Sequence, residues 1–516
     1  MFQTTYCYDF PNVFQVALNS IWRNYAKTAA PGFDATVPAV VMEATELILS
    51  MEADEASMTS PFPGLYEVER EPGTNGIGMV AWKLLLRTPV YPEGRVVMLI
   101  SNDITTVAGS FGANEDLLFD LVTKYAQRDG VPRLYFAANS GARFGLAEDV
   151  RSAFDVKWTD ASDPTRGFKH LHLSDADTAR IGSAVMTSKN GNGQNEITTI
   201  IGKKEGLGVE NLRGSGNIAG STSRAYNSVF TLTYCSGRCV GIGAYLVRLG
   251  QRTIQKETRA PILLTGHGAL NRLIGREVYT SNAQIGGPGV MFQNGVSHLT
   301  VKHDLAGVRA TLKWLSYVPA AGGPNGAIDG VCAIPKLLGG TDPVERAVGW
   351  APSPTPYDPR NLFTGEVDAA SGKWTSGFFD RGSFEEYLSG WAKSVIIGRA
   401  RLGGLPMGVV VSEVRSVESI TPADPAAPES SEVKVQQAGQ VWFPDSAYKT
   451  AQAIRDFQRE GLPLLVLANW RGFSGGQRDM FDEVLKFGAF IVDALVGYTQ
   501  PVFIYLPPFA ELRGGA

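Results

Sequence analysis

Apolar residues along this chain follow two rhythms in alternation. Near the start, Phe14, Ala17, Leu18 and Ile21 recur at helical spacing, so residues 1–60 are expected to form a mainly helical lead-in. From residue 61 to 345, glycine-punctuated strands alternate with helices, and the same texture returns from residue 376 to 516. Between the two blocks, Pro352, Pro354, Pro356 and Pro359 interrupt regular structure, which marks residues 346–375 as a linker. Residues 421–432, rich in proline, alanine and acid, read as a surface loop. Strands alternating with helices predict an α/β fold. The longest apolar runs, at 464–468 and 502–506, are strand-sized and far short of a membrane span.

The two blocks echo one another. QRDGVPRLYFAAN occupies residues 127–139 and QREGLPLLVLAN residues 458–469. Each follows a helix-like run: Leu117, Leu118, Leu121, Val122 and Tyr125 in one, Ala447, Ala451, Ile454 and Phe457 in the other. In both, a glycine ends the helix and a proline precedes a strand. Each strand then enters a glycine-rich turn, SGARFG after Asn139 and WRGFSGG after Asn469. A second pairing joins a helix at 243–250 and a strand at 261–265 to a helix at 490–498 and a strand at 501–506. Two echoes in the same order predict a duplicated domain; the alternative is chance similarity of common α/β turns.

Composition narrows the choice of chemistry. A length of 516 residues calls for two or three domains. The formal charge of −4 gives no support for a nucleic-acid partner. Met1 is followed by Phe-Gln-Thr-Thr-Tyr, without the basic start and apolar stretch of a signal peptide. Four cysteines fit a reducing compartment, and Cys235 and Cys239 lack a second pair at zinc-site spacing, so no metal is expected. Phosphate loops of GxxxxGKS/T form, HExxH zinc sites and GxSxG elbows are absent, and the five histidines (His170, His172, His267, His298, His303) lie in ordinary contexts. Catalysis is then expected from backbone donors, arginines or the substrates themselves.

The 58 glycines exceed the usual ~7%, and the turns they make are where backbone donors can be offered. NSGAR (139–143) follows a strand, and RCVGIGAYL (238–246) puts two glycines at a helix entrance, where amides are unpaired and the helix dipole is positive. Two such amides aimed at one thioester oxygen make an oxyanion hole; each loop alone is equally readable as a tight turn without a ligand. Arg471, between a strand end and a glycine-rich loop, is placed to hold a carboxylate or polarise a carbonyl, or else to satisfy carbonyls structurally. ELRGG (511–515) adds a Gly-Gly turn, or a flexible terminus.

Long stretches resemble the carboxyltransferase domain of eukaryotic multidomain acetyl-CoA carboxylase. They include EVEREPGTNGIGMVAW (67–82), AANSGARFGLAEDV (137–150), GLGVENLRGSGNIAG (206–220) and VGIGAYLVRLGQR (240–252). They continue with LIGREVYTSNAQIGGPGVM (273–291), GWAKSVIIGRARLGG (390–404), QQAGQVWFPDSAYKTAQAI (436–454), LANWRGFSGGQRDMFDEVLKFG (467–488) and YLPPFAELRGG (505–515). The resemblance implies two crotonase-like domains of β-β-α superhelix type, the first at 61–345 and the second, incomplete, at 376–516. It implies transfer of a carboxyl group from N-carboxybiotin to acetyl-CoA, giving malonyl-CoA for fatty-acid synthesis. A propionyl-CoA-type carboxyltransferase, and an inactive fragment serving as a binding or dimerisation module, are the alternatives.

By the family's pattern the amides of Ala142 and Ile242 stabilise the anion, and Arg238 binds the acyl-CoA. Arg471 faces the carboxyl group, and Gly514 and Gly515 lie near the biotin ureido oxygen, Gly515 as a second backbone donor. The biotin nitrogen left after CO₂ departs would take the proton, which accounts for the missing side-chain base. Partners implied are acetyl-CoA and malonyl-CoA, a biotin carboxyl carrier and a biotin carboxylase domain, and a second copy in a head-to-tail homodimer, with no nucleic acid and no membrane span. A cytoplasmic location is expected, with a plastid as the alternative. Family members continue beyond ELRGGA, so the polypeptide alone is expected to be weakly stable or inactive.

Overall fold

The computed structural model describes residues 4–29, 36–50, 59–144, 148–201, 212–319, 337, 342–343 and 345–513. The first half is built on a nine-stranded sheet of β1 (Met42–Leu49), β2 (Thr59–Phe62), β3 (Leu65–Val68), β4 (Met79–Thr88), β5 (Tyr91–Asn102), β6 (Arg133–Ala137), β7 (Thr231–Cys235), β8 (Arg252–Lys256) and β9 (Leu299–Val301). Their order is β9-β8-β7-β6-β5-β4-β1-β3-β2. Pairing is parallel from β5 to β9 and antiparallel among the others. A second sheet orders β10 (Glu385–Tyr387), β11 (Val395–Leu402), β12 (Leu405–Ser412), β13 (Leu464–Leu467) and β14 (Val502–Tyr505) in sequence. Seven helices matter here: α1 (Phe10–Thr28), α2 (Ala113–Asp129), α3 (Leu212–Ser228), α4 (Ile242–Leu249), α5 (Asp304–Leu315), α6 (Pro444–Arg459) and α7 (Val484–Val496).

The duplication is visible in the connections. An antiparallel hairpin, β4–β5 or β11–β12, leads through a helix, α2 or α6, to a parallel strand, β6 or β13. A second helix, α3 or α7, packs on the first and feeds the next parallel strand, β7 or β14. The first echo is therefore a true structural repeat. The second is shifted by one unit: the counterpart of α7 and β14 is α3 and β7, not the segments at 243–250 and 261–265. Moreover α4 leads into β8, whereas within 261–265 only Ile262–Leu263 is extended, in a side ladder with Cys239–Val240.

Strand β8 was hidden by its charges. Arg252, Gln255 and Lys256 are all buried, and a charged residue in an apolar interior needs a partner that the local sequence does not supply. Lys256 pairs with Asp304 at 3.2 Å. Arg252 lies over the Phe230 ring and binds Glu460 across the two halves. Glu460 is itself gripped by Arg399 of β11, whose Nε and Nη2 each donate to a carboxyl oxygen at 2.6 Å.

The apolar side chains alternate by face, as strand geometry requires. Leu134 and Phe136 of β6 enter a core shared by both halves with α1, α5 and α6, while Tyr135 and Ala137 face the core beneath α2 and α4. The lead-in contributes α1 and, beyond it, β1, whose Glu46 is buried with Arg70 (2.8 Å) and the Tyr8 hydroxyl (2.7 Å) as partners. Residues 346–375 carry a short helix (Arg360–Thr364) that buries Leu362 and Phe363 against the second sheet. Residues 421–432 join two antiparallel strands, Val417–Thr421 and Val433–Gln437, and are largely exposed.

Candidate active site

Strand β6 is wholly buried and delivers the chain into the turn at 139–143. Gly141 has φ +85°, and a Cβ there would stand 2.9 Å from the Val240 carbonyl oxygen, so only glycine fits this approach. The turn is pinned on one edge: Phe111 N donates to Gly141 O at 2.9 Å and Arg143 N to Phe111 O at 2.8 Å. That parallel bridge leaves the N–H of Ala142 directed to the side away from Phe111. Arg143 locks the arrangement by binding Ser110 (3.0 Å) and Glu115 (2.7 Å), and Glu115 also accepts the amides of Gly78 and Gly112.

The turn after β7 meets the first one at the Gly141–Val240 contact. Gly241, at φ +54°, donates its amide to Leu263 O at 3.0 Å, and its carbonyl accepts from Ala244 and Tyr245 as α4 begins. Ile242 is the first residue of that helix, where no intrahelical acceptor exists. Among the described residues neither Ala142 nor Ile242 finds an acceptor for its amide, and both residues are half-buried. The amides of Gly141, Val240 and Gly241, by contrast, are all consumed. Ala142 and Ile242 are thus available donors, the second at the positive end of a helix; Ser140 and Gly243 beside them also lack an acceptor among the described residues.

Arg238 stands one turn earlier. Its carbonyl accepts from Asn139 N at 2.7 Å, while its side-chain Nε is buried without a partner. It lines a cavity of about 330 Å³ together with Arg259, Glu257 and Asn282. Two guanidinium groups at one cavity suit an anionic ligand.

Arg471 belongs to a separate cluster in the second half. Its side chain is 53% exposed and faces Glu511, with Nε 3.4 Å from the carboxylate. Arg513, which donates to the same carboxylate, and Arg471 hold the Glu511 carboxyl below its usual range. Trp470 bridges Leu512, and beside them lies an apolar cleft of about 630 Å³ walled by Trp442, Trp470 and Phe473, the first two stacked at 4.2 Å. Arg471 makes no hydrogen bond or ion pair with the first-half turns among the described residues. Gly514 and Gly515 lie outside the described residues. The structure therefore brings together Ala142, Ile242 and Arg238, and sets Arg471 apart.

Among the described residues His298, His170 and His172 make no hydrogen bond to the turn pair, while His267 binds Asn282 of the Arg238 cavity at 2.9 Å. His298 is fully buried, stacked on Tyr387 at 5.7 Å, and burial together with Arg248, Arg252 and Arg399 drives its pKa far down. His170 and His172 pair with Gln194 and Asn190 on a peripheral strand, Phe168–Leu173. Two residues that sequence reasoning passed over do enter the site: Asn139 and Asn469, the terminal letters of the two echoed segments. Their signal was that the echo ends on asparagine in both halves.

The duplicated α/β halves form a crotonase-type fold. The same fold appears in the transcarboxylase 12S crystal structure with hydrolysed methylmalonyl-coenzyme A bound, at a TM-score of 0.53 and 16% identity over 83% of this chain and 63% of that one. Residues 89–516 match the carboxyl transferase domain family, and the chain belongs to it. It is 51% identical over 523 residues to acetyl-CoA carboxylase of Saccharomyces cerevisiae and 49% identical over 522 residues to that of Schizosaccharomyces pombe. It is also 49% identical over 532 residues to the Dictyostelium discoideum enzyme. Each alignment covers 99% of this chain but only 22–23% of the relative, so the chain spans about a fifth of those proteins.

Proposed function

We propose that this chain is the carboxyl-transferring part of an acetyl-CoA carboxylase, moving a carboxyl group from N-carboxybiotin to the methyl carbon of acetyl-CoA to give malonyl-CoA. The observation that carries the reading is the turn pair: the amides of Gly141, Val240 and Gly241 are spent on structure, while among the described residues those of Ala142 and Ile242 have no acceptor. A thioester oxygen received there gains charge as the methyl group loses its proton, and fixed donors stabilise that charge without reorganising. Arg238 and its cavity would hold the acyl-CoA. The apolar cleft beside Arg471 suits a small ring system, with the guanidinium at its edge to bind a carboxylate. Carboxybiotin, when bound, supplies the CO₂ and takes up the methyl proton.

The reading includes two copies arranged head to tail. Among the described residues Arg471 makes no polar contact with the amide turns, and β14, at the edge of its sheet, leaves Phe503 and Ile504 exposed, with Phe509 exposed beyond it. Such apolar surface favours cover by further polypeptide. Partners are then a biotin carrier and a biotin carboxylase domain, and the location is the cytoplasm. Among the described residues no helix is long and apolar enough to cross a membrane.

The test is loss of malonyl-CoA in the presence of free biotin, with propionyl-CoA and acetyl-CoA compared as carboxyl acceptors in the forward direction. Weak but measurable transfer supports the proposal; absence of any transfer by a folded dimer that binds acetyl-CoA would favour the inactive binding module. Turnover by this chain equal to that of a complete acetyl-CoA carboxylase would instead refute only the expectation of weak activity. Arg238→Ala is expected to weaken acetyl-CoA binding by about 10-fold or more, read by titration calorimetry, because a charge-assisted contact contributes roughly 1.5–3 kcal/mol. Arg471→Ala should lower transfer by about 10–100-fold for the same reason, while leaving the calorimetric affinity for acetyl-CoA unchanged.

A further inference from the structure

Asn139 and Asn469 lie two residues beyond β6 and β13, both are buried, and the mechanism above gives neither a role. Oδ1 of Asn139 accepts the amide of Gly141 at 3.2 Å and that of Val240 at 3.1 Å, one from each turn. Its Nδ2 donates to the Tyr135 hydroxyl at 3.1 Å, and that hydroxyl donates to Asn102 at 2.6 Å. One carboxamide, braced from behind, therefore spans the seam between the turn after β6 and the turn after β7. The second half has a related tie: Oδ1 of Asn469 accepts the Glu511 amide at 2.9 Å and, in place of a second backbone amide, Nε2 of Gln440, joining the turn after β13 to the turn after β14.

A carbonyl oxygen offers two acceptor sites, and both are taken, by the amide one residue before Ala142 and the amide two residues before Ile242. Without this oxygen, Gly141 and Val240 would each hold a donor with no acceptor, a costly state that the turns would relieve by shifting. A displacement of about 1 Å at a reacting centre is enough to cost about 100-fold in rate. We propose that Asn139 is a positioning residue that sets the register of the Ala142 and Ile242 amides, and that Asn469 does the same for the corresponding turn pair of the second half. The kinetic consequence rests on the carboxyl-transfer reading; the geometry does not.

Gly243 offers an independent way to disturb the same atom, since a Cβ there would overlap Oδ1 of Asn139. Alanine there must displace a fully buried carboxamide, so some loss of stability accompanies Gly243→Ala, and thermal melting of each variant separates a global loss from a change confined to the two turns. The experiment compares Asn139→Ala, Gly243→Ala and Tyr135→Phe in the whole chain. It measures amide hydrogen exchange of peptides covering 139–143 and 239–243, together with kcat and KM for carboxyl transfer from malonyl-CoA to biotin. Asn139→Ala and Gly243→Ala should speed exchange in those two peptides and lower kcat by about 100-fold, with KM changed less than about 3-fold. Tyr135→Phe keeps both Oδ1 contacts and should stay within about 3-fold of the parent in kcat. Unchanged exchange in both Asn139→Ala and Gly243→Ala overturns the proposal, as does a loss carried by KM alone. Faster exchange in the variants of a parent that transfers no carboxyl group supports the clamp and overturns the carboxyl-transfer reading instead.

Discussion

Replacing Glu460 by glutamine is expected to lower the unfolding free energy by about 3–5 kcal/mol, because it strands two buried cations. Arg252 comes from β8 of the first half and Arg399 from β11 of the second; both are essentially without solvent contact, as is the carboxylate between them. Their mutual repulsion is held in check by that one negative charge. Asp456 accepts from the Tyr226 hydroxyl across the same boundary, and among the described residues its carboxylate makes no ion pair with either arginine; burial pushes its own pKa up. Denaturant unfolding of parent and variant measures the loss, and a change below about 1 kcal/mol would mean that water or another acid reaches the pair.

The pH dependence follows with a definite sign. Burial raises the Glu460 pKa, but Arg399 and Arg252 outweigh it and hold the carboxyl below its usual value. A depressed carboxylate stabilises the fold fully above its unfolded pKa and loses that contribution as pH falls through the folded value. The gap in stability between parent and Glu460→Gln should therefore be widest near neutrality and narrow in acid.

The second large effect is expected from Ile242→Pro, which puts a ring methylene where the amide hydrogen of the proposed site stands and trims a partly buried side chain. Proline is well tolerated at the first position of a helix, where its missing N–H has no intrahelical acceptor. Ile242 occupies that position in α4, and its amide is free. The fold should survive while carboxyl transfer falls by about 100–1,000-fold, the usual cost of losing one oxyanion donor. Circular dichroism and thermal melting check the first half of this statement, and kcat for malonyl-CoA and biotin the second. A variant that melts like the parent and transfers as fast would remove Ile242 from the site.

Reading the chain without coordinates reached the α/β class, the duplication and the two glycine turns, because each is written in local patterns. Alternating faces produce strands such as β6, glycine and proline punctuate α2 and α6 at 130–132 and 461–463, and Gly141 announces a close backbone approach. The second echo was matched to the wrong unit, since helix followed by strand occurs in every α/β repeat and only pairing in the sheet distinguishes them. Strand β8 was missed because its charged residues look solvent-facing until Glu460 and Asp304, more than 45 positions away, neutralise them.

What the sequence determined by itself is the set of conformations each segment can take: period-two strands, capped helices, and turns that only glycine can make. What the tertiary structure decided is which amides are left over. Asn139 and Val240 are 101 residues apart, and their hydrogen bond exists only because β6 and β7 are neighbours in the sheet. Whether an N–H is spent or free depends on every acceptor within about 3 Å of it, and such neighbours come from distant parts of the chain.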